Sequence, residues 1–244
     1  MSRFQLFVAA TFCVLLLSAG ISVNAQTPDR AQTEKEIASF RERMKEQEKL
    51  FLQPAPEDRA ALADFLRQEG TGLMRLLPRE KYENVMPTRG GDAYYSFTSL
   101  SNEYGATSDL ELQQGNLSVG FAGANFGLLT MLGDVALDDV TLTHPAVEYL
   151  SALTPPARLS EARTEQRRAS DGFTVNELSY KDRLPARVNK TYLLRSINYE
   201  ASDVLVAFRV VRRDTDGSLV IAWKTLKKFS IPHLERNTAR AQVN

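Results

Sequence analysis

The residue types that most often transfer protons or attack as nucleophiles are scarce in this sequence. Its 244 residues include two histidines, His144 and His233, and one cysteine, Cys13. Neither histidine belongs to a spaced metal-binding pair. The Gly-x-Ser-x-Gly, Ser-x-x-Lys and His-Glu-x-x-His motifs of hydrolases are missing. The residue types therefore favour a protein that is not an enzyme. The alternative is a hydrolase whose carboxylates or dispersed Ser/His pair form no motif.

Glycines and carboxylates are the residues that could form a cofactor or metal site. The glycine-rich segment 120–127 fits neither the Walker A nor the dinucleotide-binding spacing. Asp138 and Asp139 are adjacent, so in a strand they would point to opposite faces and could not share one Ca²⁺ ion. Asp214-x-Asp216-Gly217 resembles the start of a calcium loop, but Thr225 stands where an EF-hand has its closing Glu. We therefore predict no metal site and no cofactor.

The C-terminal part of the chain is basic and contains our candidates for an interaction surface. Residues 26–150 hold 12 Lys and Arg against 20 Asp and Glu, whereas residues 151–244 hold 17 against 10. Such a surface attracts acidic partners, here another protein or an anionic envelope component. The alternative is that the oppositely charged halves attract each other. A net charge of zero argues against nucleic acid as a partner. The six candidates are Arg209, Arg212, Arg213, Lys224, Lys227 and Lys228.

The first 25 residues have the pattern of a secretory signal peptide. Arg3 supplies the positive start, an apolar core follows, and Val23-Asn24-Ala25 is a small-x-small cleavage pattern. The apolar core is shorter than the roughly 20 residues of a membrane-spanning helix. We predict cleavage between Ala25 and Gln26, which removes Cys13, and a secreted or periplasmic protein without a transmembrane segment. The alternative is an uncleaved N-terminal anchor.

After a flexible lead over residues 26–32, the sequence predicts a helical segment over residues 33–78. Its first part has a narrow apolar stripe at helical spacing, formed by Ile37, Phe40, Met44 and Phe51. We expect this stripe to pack on the body of the protein. The alternative for residues 33–52 is a coiled coil or an arm that binds a partner.

Residues 93–244 are predicted to form a β-rich globular domain. Strands are expected over 172–180, 191–199, 203–213 and 218–229, with a further short strand over 135–142. Pro145 should start a short helix, and residues 155–170 are where the domain would be subdivided. The fold class is therefore α+β, an N-terminal helical segment followed by a mostly antiparallel sheet or sandwich with a helical interruption.

Taken together, the sequence favours an exported, soluble, non-catalytic binding or envelope-associated structural module. The hydrolase named above is one alternative. A second alternative is a small-ligand carrier in which segment 119–133 lines an internal pocket. That pocket would be walled by Phe121, Phe126, Leu128 and Met131.

Overall fold

The computed structural model describes residues 29–235, so the predicted signal peptide and its cleavage site lie outside the described residues. The chain divides into two compact units, Met1–Ser39 and Phe40–Asn244. In the first unit, the described residues are helical from Arg30 onward. The Asp29 carboxylate accepts the backbone N–H of Ala31 (3.1 Å) and thereby caps the helix. The predicted flexible lead is therefore wrong for residues 30–32.

The described chain forms six helices and eleven strands. The helices are α1 (Arg30–Phe51), α2 (Pro56–Ala61), α3 (Ala63–Leu66), α4 (Arg79–Tyr82), α5 (Pro145–Ala152) and α6 (Leu159–Asp171). The first six strands are β1 (Thr71–Leu76), β2 (Tyr94–Tyr95), β3 (Leu110–Gln113), β4 (Asn116–Ser118), β5 (Phe126–Gly133) and β6 (Phe173–Val175). The others are β7 (Leu178–Tyr180), β8 (Arg183–Pro185), β9 (Thr191–Asn198), β10 (Ser202–Arg213) and β11 (Leu219–Lys228).

The strands form a larger and a smaller antiparallel sheet, which confirms the predicted α+β class. The larger sheet has five strands in the order β1-β11-β10-β9-β5, and the smaller has four in the order β2-β3-β4-β8. Strands β6 and β7 pair as a separate hairpin. Strands β9, β10 and β11 match the strands predicted over 191–199, 203–213 and 218–229, because long apolar runs separated by turn residues give a strong strand signal. The strand predicted over 172–180 is instead the hairpin of β6 and β7, and β8 was not predicted.

Strands β10 and β11 lie inside the larger sheet, and both of their faces are covered. One face packs against the smaller sheet around Val206, Phe208 and Ile221. The other face, which carries Leu205 and Ala207, packs in a second core that includes residues of α3, α5 and α6. The continuous apolar sequences of these two strands predicted this central position, since only a strand buried on both faces lacks polar alternation.

Residues 71–76 are a strand, so the predicted helical segment 33–78 is wrong at its C-terminal end. Gly70 has a φ of +71° and separates α3 from β1. Gly72 leaves room for the ring of Trp223 on the neighbouring strand, with which any Cβ would collide. Met74 and Leu76 then bury alternate side chains, which is the periodicity of a strand.

Two further predictions from the sequence are wrong. Residues 135–142 form turns and no strand. One turn is closed by the hydrogen bond from Val140 N–H to Leu137 O (3.2 Å), and the buried side chains of Leu137 and Val140 are therefore three residues apart and do not alternate as in a strand. The part of the α1 stripe that lies in the second unit, expected to be buried, is instead exposed, with Phe40 at 57% and Met44 at 36%. The hypothesis that residues 33–52 bind a partner stays a prediction.

The interior of the larger sheet contains a fully buried ion pair. Arg195 on β9 donates from Nε and Nη2 to the two carboxylate oxygens of Asp203 on β10 (2.7 and 2.8 Å). Its Nη1 donates to the carbonyl oxygen of Leu150 in α5 (2.5 Å), and the ring of Phe229 covers the guanidinium at 3.4 Å. The pair therefore ties two central strands to the helical layer with both charges satisfied.

A second polar cluster lies between the two sheets around Asp109. Its Oδ2 accepts the backbone N–H of Phe97 (2.8 Å), and its Oδ1 accepts Nδ2 of Asn198 on β9 (3.0 Å). Complete burial raises the pKa of the Asp109 carboxyl to about 7, although these hydrogen bonds oppose the rise. The cluster therefore links the smaller sheet to the larger one through a carboxyl group that titrates near neutrality.

We expect Arg195→Met to reduce the free energy of unfolding by about 3–5 kcal/mol, because it leaves Asp203 charged and buried without its partner. The double variant Arg195→Met/Asp203→Asn removes that charge and should recover part of the loss. Urea denaturation of the three proteins measures both effects. A single variant within about 1 kcal/mol of wild type would contradict the role assigned to the pair.

Candidate functional site

The structure does not gather the six basic candidates into one surface. Val204 pairs with Lys228, whereas Arg213 pairs with Leu219. Roughly 30 Å of strand β10 lies between these two ends. Lys227 and Lys228 are therefore at one end of the hairpin, and Arg212 and Arg213 are at the other.

Most of the six also have partners within the fold. Arg209 pairs with Asp134 (2.6 Å), and Arg212 pairs with Asp214 and Asp58 (2.7 and 2.8 Å). Arg213 donates to the carbonyl oxygen of Ala186 (2.9 Å), and Lys224 donates to that of Asp138 (3.5 Å). These contacts bind the hairpin to its neighbours and leave Lys227 and Lys228 exposed. Their role in binding a partner stays a prediction.

The two histidines do not meet in a common site. His144 is the N-cap of α5, where its Nδ1 accepts the backbone N–H of Ala146 (3.2 Å). His233 is exposed, and its Nδ1 lies 2.5 Å from Oε2 of Glu200. Both positions have a structural explanation in local hydrogen bonding.

The four residues expected to wall a carrier pocket are distributed over different parts of the fold. Phe126 and Leu128 line a small hollow of about 150 Å³. Phe121 lines a different, polar cleft, and Met131 packs against the core between the sheets. Within residues 29–235 these four side chains therefore do not surround one cavity.

Sequence reasoning missed a pair of buried carboxyl groups, Glu48 and Asp92. Glu48 lies near the C-terminal end of α1 and is 6% exposed, and Asp92 precedes β2 and is 1% exposed. The two side chains are hydrogen-bonded to each other. A hydrogen bond between two carboxyl groups needs a proton on one of them, and the raised pKa of Asp92 favours its place on Asp92.

A strained turn holds Asp92 in place. Gly90, Gly91 and Asp92 all have positive φ angles, of 88°, 62° and 55°. This conformation is costly for aspartate, and such strain is concentrated at functional sites. The carbonyl oxygen of Asp92 accepts the backbone N–H of Leu77 (3.1 Å) and Nδ2 of Asn102 (3.3 Å), and these contacts fix the turn.

Burial and the neighbouring carboxyl group both raise the pKa of Asp92. Desolvation is the larger cause, followed by the hydrogen bond and the negative charge of Glu48. Asp92 Oδ2 is buried and receives no N–H or O–H from any residue that the structure describes. Glu48 Oε1, by contrast, accepts the backbone N–H of Thr88 (3.0 Å). Burial and the contact with Glu48 therefore favour the protonated form of Asp92.

The pair lines a cavity of about 420 Å³, a size typical of small-molecule sites. The walls come from the end of α1, from β1, and from the loop that connects β2 with β3. Its apolar lining includes Leu52, Leu73, Tyr95 and Leu100. Four cations also line it, namely Lys45, Lys49, Arg59 and Arg75, together with the exposed carboxylate of Glu103. The cavity thus combines an apolar wall, a protonated carboxyl group and positive charge.

These groups fit an organic ligand better than a metal ion. The described part of the chain contains no cluster of three or more His, Cys, Asp or Glu residues that could hold a metal. The carboxyl pair can exchange hydrogen bonds with a polar group, and the cations can neutralise an anion. The only sign of this site in the sequence is Gly90-Gly91-Asp92, which indicates a tight turn. Nothing in the sequence distinguishes the buried Glu48 from the exposed Glu46 two residues earlier.

We expect the free energy of unfolding to fall as pH rises from about 4 to about 7. Asp92 and Asp109 have raised pKa values in the folded protein, so they keep protons there that the unfolded chain releases near pH 4. This contribution is complete at low pH and is lost as pH rises through the folded-state pKa values. Between the unfolded-state and folded-state pKa values, each proton that only the folded protein holds lowers the free energy of unfolding by about 1 kcal/mol per pH unit. Urea denaturation at several pH values measures the slope.

The Asp92→Asn variant separates the contribution of the carboxyl pair. It removes one of the two protons, so the stability of this variant should fall less steeply with pH. Asp139→Asn, at an exposed position, is the matched control and should keep the slope of wild type. Equal slopes for wild type and Asp92→Asn would show that the pair holds no extra proton.

Searches of family models, of curated proteins and of solved structures each returned no match for this chain. Among the helices within residues 29–235, none has the length and apolar character needed to cross a bilayer. The basis for a functional proposal is therefore the geometry of the site.

Proposed function

We propose that this protein is a non-catalytic binding module that takes a small anionic organic molecule into the cavity beside Glu48 and Asp92. The observation that carries the proposal is the coexistence, in one cavity, of the buried Glu48–Asp92 pair and of three cations that form no ion pair within residues 29–235. The predicted cleavage after Ala25 supports a function outside the cytoplasm.

The cations favour an anionic ligand. Lys45, Lys49 and Arg59 form no ion pair or side-chain hydrogen bond within the described residues. Arg75 also lines the cavity, but it pairs with Asp214 and Asp216 (3.2 and 2.9 Å) and is satisfied by the protein. A negatively charged group at the cavity rim would supply the partner that the first three cations lack.

The interior of the cavity favours an organic body that carries a polar group. Leu73 and Tyr95 offer apolar surface, whose burial against a ligand is favourable. A ligand N–H or O–H group that reaches Glu48 would donate a hydrogen bond to its carboxyl oxygens, which line the cavity. A ligand with a carboxylate or sulfonate at one end and an uncharged polar group at the other matches this arrangement.

The burial of the pair supports binding over catalysis. A hydrolytic carboxylate must reach both the substrate and an attacking water molecule. Asp92 is almost completely enclosed, and one oxygen of Glu48 is already engaged by Thr88. A ligand group that makes one hydrogen bond needs less access than a reaction centre. The hydrolase alternative would require the turn at residues 90–92 to open.

The fluorescent anion 8-anilinonaphthalene-1-sulfonate tests this proposal, since it combines a sulfonate with an apolar aromatic body. Its affinity for the full chain should fall about tenfold in Lys45→Gln/Lys49→Gln/Arg59→Gln, a loss of about 1.4 kcal/mol. Rising salt should weaken its binding to wild type, because exposed charges are screened. Fluorescence titration measures both effects.

The matched control is Arg163→Gln/Lys227→Gln/Lys228→Gln, which removes the same charges at exposed positions outside the cavity. It should bind the probe with the affinity of wild type. Absence of binding to wild type, or the same affinity for the cavity variant as for wild type, would contradict the proposal.

A further inference from the structure

A second recess lies on the face of the smaller sheet that points away from the core. Four residues stand in register across its strands, with Tyr94 opposite Glu111, Glu111 opposite Ser118, and Ser118 opposite Arg183. Leu112 and Leu117 of the same strands face the core between the sheets. Because side chains alternate along a strand, one face of this sheet is apolar and the other carries a row of polar groups.

Hydrogen bonds fix the centre of this row. Glu111 is buried, and its Oε2 accepts the hydroxyl of Ser118 (3.1 Å). Its Oε1 accepts a hydrogen bond from Nη1 of Arg79 in α4 (3.0 Å). The floor of the recess is therefore rigid, and its polar atoms have set positions.

The recess continues into a groove. The part above Glu111 and Ser118 has a volume of about 580 Å³. A second hollow of about 330 Å³ shares Val119, Gly120, Ser170 and Asp182 with it and extends to Arg167 on α6. Because they share these four residues, the two hollows adjoin each other between the smaller sheet and α6, and together they are called the groove.

Several polar side chains in the groove have no partner in the protein. Lys181 and Asp182 line the groove just before β8, and Ser170 lines it from α6. Across residues 29–235, the side chains of these three residues make no hydrogen bond or ion pair with another residue. Phe121 adds aromatic surface beside them and meets Tyr94 edge-on, with ring centroids 5.1 Å apart. The groove thus offers unpaired donors and acceptors next to an aromatic ring.

We propose that this groove binds a saccharide. Sugar rings present hydroxyl groups that donate and accept at the same time, which suits a surface where Lys181 and Asp182 stand side by side. Their apolar faces suit an aromatic ring such as Phe121. A phosphate-rich polymer needs cations alone, whereas this groove sets the cations Lys181 and Arg183 beside the free carboxylate of Asp182. The combined length of the two adjoining hollows suits more than one sugar unit. Neutral and acidic saccharides share this hydroxyl chemistry, and the experiment below separates them.

Isothermal titration calorimetry of the full chain tests the proposal with soluble tetrasaccharides of glucose, N-acetylglucosamine, mannose and galacturonic acid. We expect at least one of them to bind. Binding of a neutral member identifies a neutral saccharide as the ligand class, and binding of the galacturonate alone identifies an acidic one. Asp182→Asn and Phe121→Ala should each weaken the binding about tenfold.

Two controls locate the binding in the groove. Asp139→Asn changes an exposed carboxylate that does not line it and should bind as wild type. Lys45→Gln/Lys49→Gln/Arg59→Gln alters the other cavity and should also bind the saccharide normally, which separates this inference from the proposed function. Failure of all four tetrasaccharides to bind, or binding that neither Asp182→Asn nor Phe121→Ala weakens, would overturn the proposal.

Discussion

The candidate site depends on one proton held by a pair of buried carboxyl groups. Glu48 and Asp92 are both buried and hydrogen-bonded to each other, and two negative charges at that distance in a region of low dielectric constant would repel strongly. The proton removes that repulsion. It also connects the C-terminal part of α1 to the strained turn at residues 90–92. The cavity lies where these two elements and β1 meet.

The rest of the fold supplies a rigid support for this site. The strands β10 and β11 are buried on both faces, and Arg195 and Asp203 tie β9 and β10 to α5. Asp109 and Asn198 join the two sheets. The cavity uses β1 at one edge of the larger sheet, whereas the polar groove uses the outer face of the smaller sheet. The two recesses therefore occupy different parts of one scaffold and can be altered separately.

Much of the fold could be predicted from local sequence patterns. The apolar runs of β10 and β11, separated by Asp214–Gly217, identify a buried hairpin, and His144-Pro145 marks the start of α5. Strand β1 was predicted as helix because its short apolar run follows a helical pattern. It is a strand because it pairs with β11, where the ring of Trp223 packs over Gly72, and β11 is far away in the sequence. Tertiary contacts of this kind cannot be read from local periodicity.

The sites were harder to predict because their residues come together only in the fold. Glu48 and Asp92 are far apart in the sequence. Glu48 lies on a charged helix with several glutamates, and the sequence does not indicate which of them is buried. The row from Tyr94 to Arg183 depends on the pairing of four strands, which the sequence does not specify. The six basic residues were a visible cluster in the sequence, yet the hairpin register separates them. Local sequence patterns therefore predicted helices and strands better than they predicted binding sites.

The most direct test of the account is a carbon-13 NMR titration of the side-chain carboxyl groups in the full chain, with Glu48 and Asp92 assigned by Glu48→Gln and Asp92→Asn. The account predicts that one carboxyl group of the pair keeps its proton well above the ordinary range near pH 4, and that Glu48→Gln lowers the pKa of Asp92. If both groups ionise near pH 4 and neither responds to substitution of the other, the retained proton, and with it the proposed site, would be contradicted.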